Sequence, residues 1–376
     1  MSFLPSCTRM LLSSQHVRAH LRSVRFISLI KPPGTPDTPA RTVAEVVRDL
    51  TETVIGGPTS YDPESYKRQR ERLLDLVPKS QEELAPRRMT DSFDQAIIPL
   101  GSDAKLRDRY TTFFGGVRVG RLLEDMDIFA VHLVFKHMLL PSDAGKENPQ
   151  SPFSIVTALV DSIDVRKQLF ATQDIKMMGH VTWVGKSSAE STLKLYQLRD
   201  GEWVHVLDAT FVLVVRDPMN KGSSFVNPMV TEAPEEKELF DKGENNKIAR
   251  LGCAGESLFK HPPSEEEKRI IHDFFIKTVD HKALSFKARV KPENSLWMED
   301  AKLKTIIVCQ PENRNRFNKI FGGFIMRKAF ELAWANAYVY GCKRPYITHM
   351  DDILFRAPVD VGSLLYMNSQ VVHTSK

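Results

Sequence analysis

One internal repeat constrains what this chain can fold into more than any other feature. Met89-Thr-Asp91-Ser precedes Ile97-Ile98, and Met298-Glu-Asp300-Ala precedes Ile306-Ile307, with one offset of 209 residues (89 to 298, 91 to 300, 97 to 306). Each copy continues into a Gly-initiated stretch, Gly120-Arg-Leu-Leu-Glu-Asp-Met-Asp127 in the first and Gly323-Phe-Ile-Met-Arg-Lys-Ala-Phe330 in the second. An extended stretch ending in an aliphatic-Gly pair follows, which matches Val184-Gly185 with Val361-Gly362. Two copies of one α+β unit account for these matches.

From Gly120, the apolar residues Leu122, Leu123, Met126, Phe129, Ala130, Leu133 and Val134 recur at the spacing of a helix with one buried face. From Gly323, Phe324, Ile325, Ala329, Leu332, Ala333 and Ala337 do the same, and the small residues of this helix let a sheet wrap closely around it. Residues 153–165, 175–183, 192–197 and 203–215 are β-branched or alternating runs bounded by turn signals such as Arg199-Asp200-Gly201. A strand, a helix and several antiparallel strands make an α+β unit with the helix on one face of the sheet. Between the copies, Glu232, Glu235, Glu236, Glu238, Asp241 and Glu244, then Glu265-Glu266-Glu267-Lys268, read as a connection with one or two short surface helices whose charges face solvent. Residues 363–376 suffice for one strand at about 3.3 Å per residue, so the second unit reads as truncated.

With 376 residues, 42% hydrophobic and 26% charged, the chain has the size of two globular domains. No apolar run approaches the roughly 20 residues that span a bilayer, and no stable membrane insertion is expected. The 52 Lys and Arg against 47 Asp and Glu leave +5, part of it in the acid-free first 36 residues. The near-neutral body excludes a dedicated nucleic-acid binder, though not a site for a few phosphates. Cys7, Cys253, Cys309 and Cys342 are scattered, without a CxxC pair, and read as reduced thiols with no zinc cluster. Residues 1–31 carry Arg9, Arg18, Arg22, Arg25, Lys31 and many serines, the composition of a mitochondrial transit peptide; a tail that targets nothing is the alternative. The chain therefore divides into a leader (1–36), an N-terminal extension (37–85), a first domain (86–216), a linker (217–285) and an incomplete second domain (286–376).

The segment Asn315-Arg-Phe-Asn318-Lys-Ile-Phe321-Gly322-Gly323-Phe-Ile-Met326 resembles the hallmark of acyl-CoA thioesterases. That hallmark is Asn-His-x-Gly-x-x-Phe-Gly-Gly-x-hydrophobic-Met, with an Asp further along the helix. Asp351-Asp352-Ile353-Leu-Phe355-Arg-Ala-Pro358-Val359-Asp-Val-Gly362 resembles the family's second signature, Asp-x-Ile-x-Phe-x-x-Pro-Val-x-x-Gly. The resemblance covers roughly residues 80–376. It implies a tandem (double) hot-dog fold, each unit a curved antiparallel sheet wrapped around a central helix. It also implies hydrolysis of acyl-CoA to free acid and coenzyme A without a cofactor or metal, and a homo-oligomer. In this family a site needs a carboxylate from the central helix of one unit and an Asn from the loop before the helix of the other.

Each copy keeps one half of that apparatus. The position seven after Gly120 is Asp127, whereas the position seven after Gly323 is Phe330. Asn315 has Thr112 as its counterpart. One composite site of Asp127 and Asn315 is therefore expected, with a dead counterpart. Asn318 replaces the usual glycine, and Asn tolerates φ > 0. Asp127 is the candidate base acting on water, or a nucleophile by way of an anhydride. Asn315 would position the water or carbonyl, and the amides at Gly322 and Gly323 would meet the oxyanion at a helix N-terminus. Arg314, Arg316 and Lys319 are candidate contacts for coenzyme A phosphates, with Arg118, Arg121, Arg327 and Lys328 nearby. Plainer readings stand beside these. By periodicity alone Asp127 is a helix-surface acid beside Glu124 and Asp125, Asn315 a polar turn residue, the Gly pair a packing device, and His132, His137 and His180 core or surface histidines. A silent acyl-CoA-binding or scaffold protein, or a hydratase on the same fold, are the rival functions.

Overall fold

The structure, a computed structural model, describes residues 41–50, 62–138, 151–255, 260–283, 285–315 and 318–374. The leader and Arg316 lie outside the described residues. In chain order the elements are β1 (Arg41–Thr42), α1 (Val43–Asp49), α2 (Pro63–Glu71), β2 (Arg87–Arg88), β3 (Asp94–Ile98), α3 (Ala104–Tyr110), α4 (Val119–His137), β4 (Ser154–Val165), β5 (Ile175–Val184), β6 (Ser188–Arg199), β7 (Glu202–Arg216), β8 (Met229–Val230), α5 (Pro234–Gly255), α6 (Glu265–Thr278), β9 (Lys302–Val308), α7 (Gly322–Gly341), β10 (His349–Leu354) and β11 (Leu364–Gln370), with short 3₁₀ turns between them.

The main sheet runs β1-β3-β5-β6-β7-β4-β10, antiparallel except for β1 against β3. Register shifts in β4, at β5 opposite β6, and at β6 opposite β7 mark bulges, which bend and twist a strand locally. The sheet curves around α4, whose Leu122, Leu123, Met126, Ala130, Leu133 and Val134 are fully buried. Complete burial of each Leu, Met or Val side chain contributes about 1.5–3 kcal/mol. This is the hot-dog arrangement of one sheet around one central helix.

The second unit repeats the first in detail. Ile98 pairs with Ile175 and Gln95 with Met178 in β3–β5; Ile307 pairs with Leu365 and Lys304 with Asn368 in β9–β11. The turns before the two helices also match. Thr112 N–H donates to Gly116 O and Gly115 N–H to Thr112 O, as Asn315 N–H donates to Lys319 O and Asn318 N–H to Asn315 O. Gly115 has φ +79° and Asn318 φ +55°, so Asn318 takes the left-handed conformation expected of it. The register places Gly362 before β11 and Gly185 after β5, so those two glycines are not equivalents; an aliphatic-Gly pair is too short a pattern to fix a strand's alignment.

The connection between the units also differs from the expectation of short helices, because α5 has 22 residues. It docks on β5 through Gly243, where an added Cβ would lie 2.4 Å from Trp183 Cβ, and through Glu244, which accepts from the Trp183 indole N–H at 2.9 Å. Glu236 is buried, while Glu232, Glu235, Glu238, Asp241, Glu265 and Glu266 are exposed. No helix among the described residues is long and apolar enough to cross a membrane.

Among the described residues, a strand pairing and a helix crossing join the units. Strand β10 adds to β4 at the edge of the main sheet, from His349 opposite Asp164 to Leu354 opposite Leu159. Helices α4 and α7 cross antiparallel at their glycines. A Cβ on Gly323 would lie 2.9 Å from Glu124 Cα, and one on Gly120 would lie 3.0 Å from Arg327 Cγ. The first obstacle is backbone and the second is a flexible side chain. Gly323→Ala should therefore destabilise by about 1–3 kcal/mol through overpacking, and Gly120→Ala by less, because side chains can yield where backbone cannot. Urea denaturation of both variants tests this, and equal losses would contradict the crossing described here.

Candidate active site

Asp127 lies within α4 and is 0% exposed. Glu124 and Asp125 are buried beside it, which corrects the surface-acid reading for all three. Helix α7 covers Glu124 and Asp127, and Tyr110 of α3 covers Asp125. Glu124 forms ion pairs with Arg121 of its own helix and with Arg327 of α7, the latter at 3.2 Å. Asp125 accepts from the Tyr110 hydroxyl at 2.6 Å, and burial pushes its carboxyl up to about 7.

The Asp127 carboxylate is held from one side only. Thr157 Oγ1 donates to Oδ1 at 2.6 Å, while Oδ2 has no hydrogen-bond partner among the described residues. Oδ2 faces the start of α7, where a Cβ on Gly322 would lie 3.3 Å from it. Burial pushes Asp127 up to about 6; the Thr157 hydroxyl and the Gly323 N–H hold it down, and Glu124 raises it. The Gly323 N–H is near enough to favour the charged form but falls short of hydrogen-bond geometry. A buried acceptor with a free lone pair, aimed at unpaired helix N–H groups, can take a proton from a water or hydroxyl placed between them.

The N-terminus of α7 is reached through the Asn315 turn. The Asn315 side-chain oxygen accepts from the Lys319 N–H at 3.1 Å, which fixes the turn. Ile320 N–H donates to Val359 O, tying the turn to the second signature, and the Phe355 ring of that signature lies 3.6 Å from the Cβ position of Gly322. Both signatures thus converge on the helix start that abuts Asp127. Among the candidate phosphate contacts, Lys319 is ion-paired with Asp360, and the Arg314 guanidinium donates to Pro311 O at 2.8 Å.

Thr157 was not legible in the sequence. It stands next to a register shift in β4, and bulges re-aim side chains beside functional sites; in the sequence it is one more β-branched strand residue. His132 is buried and pairs with Asp94 at 2.8 Å, with Arg41 and Lys136 on the same carboxylate. Those partners make it part of a cluster pinning β1 and α4 to β3. His137 and His180 are buried, and burial lowers each to about 4.

The counterpart of this site at the other end of the helix crossing has lost all its polar groups but one. Phe330 stands at the position of Asp127 and Thr112 at that of Asn315. The register that matches Ile175 with Leu365 also puts Ile347 at the position of Thr157.

The chain is 48% identical over 330 residues to "Acyl-coenzyme A thioesterase 9, mitochondrial" of Homo sapiens, a match spanning 87% of this chain and 74% of that protein. It is 48% identical over 308 residues to "Acyl-coenzyme A thioesterase 10, mitochondrial" of Mus musculus, spanning 81% of this chain and 69% of that protein. A solved structure of a putative oleoyl thioesterase from Lactobacillus plantarum is 9% identical, with a TM-score of 0.41 over 73% of this chain and 81% of that chain. No protein-family model matches the chain.

Because the folded state raises Asp127 from 3.8 to about 6, ionisation favours the unfolded state, and stability is lost as pH rises through that interval. Replacement by Asn removes this penalty. Asp127→Asn should be more stable than the parent by about 1–3 kcal/mol at pH 8, with the gain shrinking towards pH 4. Urea titrations at the two pH values check this, and a variant equally destabilised at both would contradict the burial of a charged carboxylate.

Proposed function

The chain belongs to the acyl-coenzyme A thioesterase family, and from that premise we propose that it hydrolyses acyl-CoA at one composite site between its two hot-dog units. The observation that carries the reading is the buried Asp127 carboxylate, with a free oxygen facing the glycine-started N-terminus of α7. A water held there gives its proton to Asp127 as its oxygen attacks the thioester carbonyl. Negative charge gathers on the carbonyl oxygen, where unpaired N–H groups at Gly322 and Gly323 stabilise it. The C–S bond then breaks, and the thiolate leaves and is protonated, giving the acid and coenzyme A. Asn315 positions the water or the carbonyl, and Thr157 fixes the carboxylate. The thioester reaches Asp127 past the Phe355 ring, because the carboxylate is closed to solvent. Arg314, Arg316 and Lys319 flank the Asn315 turn as contacts for the coenzyme's phosphates.

The mitochondrion is the compartment proposed, on the acid-free leader and on the names of the mammalian relatives. The division into leader, extension, two hot-dog domains and linker is proposed with the boundaries given above. Assembly into a homo-oligomer is proposed on the exposed apolar residues Ile306, Val308, Leu364 and Tyr366 of β9 and β11.

Thiol release from acyl-CoA by the purified full chain tests the reaction. Asp127→Ala and Asn315→Ala should each lower kcat by about 100-fold or more, and full turnover in either would sink the composite site. With its base titrating near 6, kcat/KM should fall as pH drops through that value. Thr157→Val removes a hydrogen bond that favours the charged form, so this acid limb should move to higher pH; an unmoved limb would separate Thr157 from the base.

A further inference from the structure

A cavity of about 570 Å³ opens beside the helix crossing, away from Asp127. It lies at the counterpart site, between the Thr112 turn, the start of α4, Phe330 and Ile347. A site that had only lost its function would be expected to fill in, because close packing is the rule in protein interiors. Here Phe330 lines a space that stays open. Its walls are Val117, Val119, Leu169 and Ile347, with aromatic faces from Phe114, Trp334 and Tyr346 near the rim. Phe114 and Tyr346 are exposed, and the Arg344 guanidinium stacks on both, 4.8 and 5.0 Å from their centroids.

The charge lining the cavity is mostly positive. Arg118, Arg166, Lys167 and Arg344 line it, and Glu331 is the one lining acid. Glu331 is already bound to Arg118 at 3.1 Å and to Lys328 at 3.3 Å. Arg344 and Lys167 have no carboxylate partner among the described residues. An apolar chamber with a cationic, aromatic mouth suits a ligand that joins an apolar tail to an anionic, planar head.

We infer that this cavity binds a second CoA thioester and holds it without hydrolysing it. The acyl chain lies over Phe330, and the phosphates meet Arg344 and Lys167, with the adenine on the aromatic rim. Hydrolysis is absent because Phe330 accepts no proton and Ile347 offers no hydroxyl. The ligand class follows from the reading of the composite site; the cavity, its charge and its open rim are independent of it.

The test titrates the full chain with an acyl-CoA thioether, which no thioesterase cleaves, by calorimetry and by tryptophan fluorescence. Two equivalents per chain are expected. Arg344→Glu should weaken one of them at least tenfold while leaving thioester hydrolysis at low substrate unchanged. Trp334→Phe should abolish the fluorescence change that belongs to that equivalent. A single equivalent, or two that both ignore Arg344→Glu and Trp334→Phe, would overturn the inference. ADP displacing the thioether from the Arg344-sensitive site at equal concentration would also overturn it, by making this a nucleotide site. The composite-site reading fails separately, on retained hydrolysis by Asp127→Ala, whatever the stoichiometry.

Discussion

Helices α4 and α7 approach closely because Gly323 carries no side chain where it meets the α4 backbone at Glu124, while Gly120 leaves room for the Arg327 and Phe330 side chains. That approach buries Asp127 and brings the unpaired N–H groups of α7 to its carboxylate. At the centre of the crossing Glu124, four residues after Gly120, meets Arg327, four residues after Gly323, at 3.2 Å. The two residues occupy equivalent places in their units. Two copies of the first unit crossing in this way would set Glu124 against Glu124, and two copies of the second Arg327 against Arg327. Buried like charges are strongly disfavoured, so the pair selects first unit against second. The pairing of β4 with β10 then fixes the register, since a slip of one residue would turn the side chains of β10 to the other face of the sheet.

Much of this was legible in the chain because the repeat is written in residues with a backbone role. Gly120 and Gly323, and the turns beginning at Thr112 and Asn315, keep the same spacing and the same hydrogen bonds. Asp127 and Asn315 could therefore be placed by counting from a glycine. What counting could not supply was burial. Glu124 and Asp127 are covered by α7, far away in the chain, Asp127 also by Thr157 of β4, and Asp125 by Tyr110. Thr157 was hidden for a related reason: a bulge in β4 decides which way it points, and no residue type announces a bulge. The mismatch of Gly185 with Gly362 shows the opposite failure, a glycine doing different work in two turns.

The asymmetry of the two ends follows from the energetics of a buried carboxylate. Desolvation raises Asp127 to about 6, and keeping it ionised at neutral pH lowers stability by about 1–3 kcal/mol. Two such sites would double that burden and set two desolvated charges close to the same helix crossing. Replacing the second Asp by Phe330 removes one burden and adds aromatic packing against Gly120. Once the carboxylate is gone, a threonine hydroxyl or an asparagine amide at that end has no charge to serve and would itself need a partner. Ile347 for Thr157 and Thr112 for Asn315 remove those demands as well. The three replacements are coupled by one physical cause. They leave the cationic rim untouched, because Lys167 is exposed, Arg344 is only half-buried, and neither depends on the lost carboxylate.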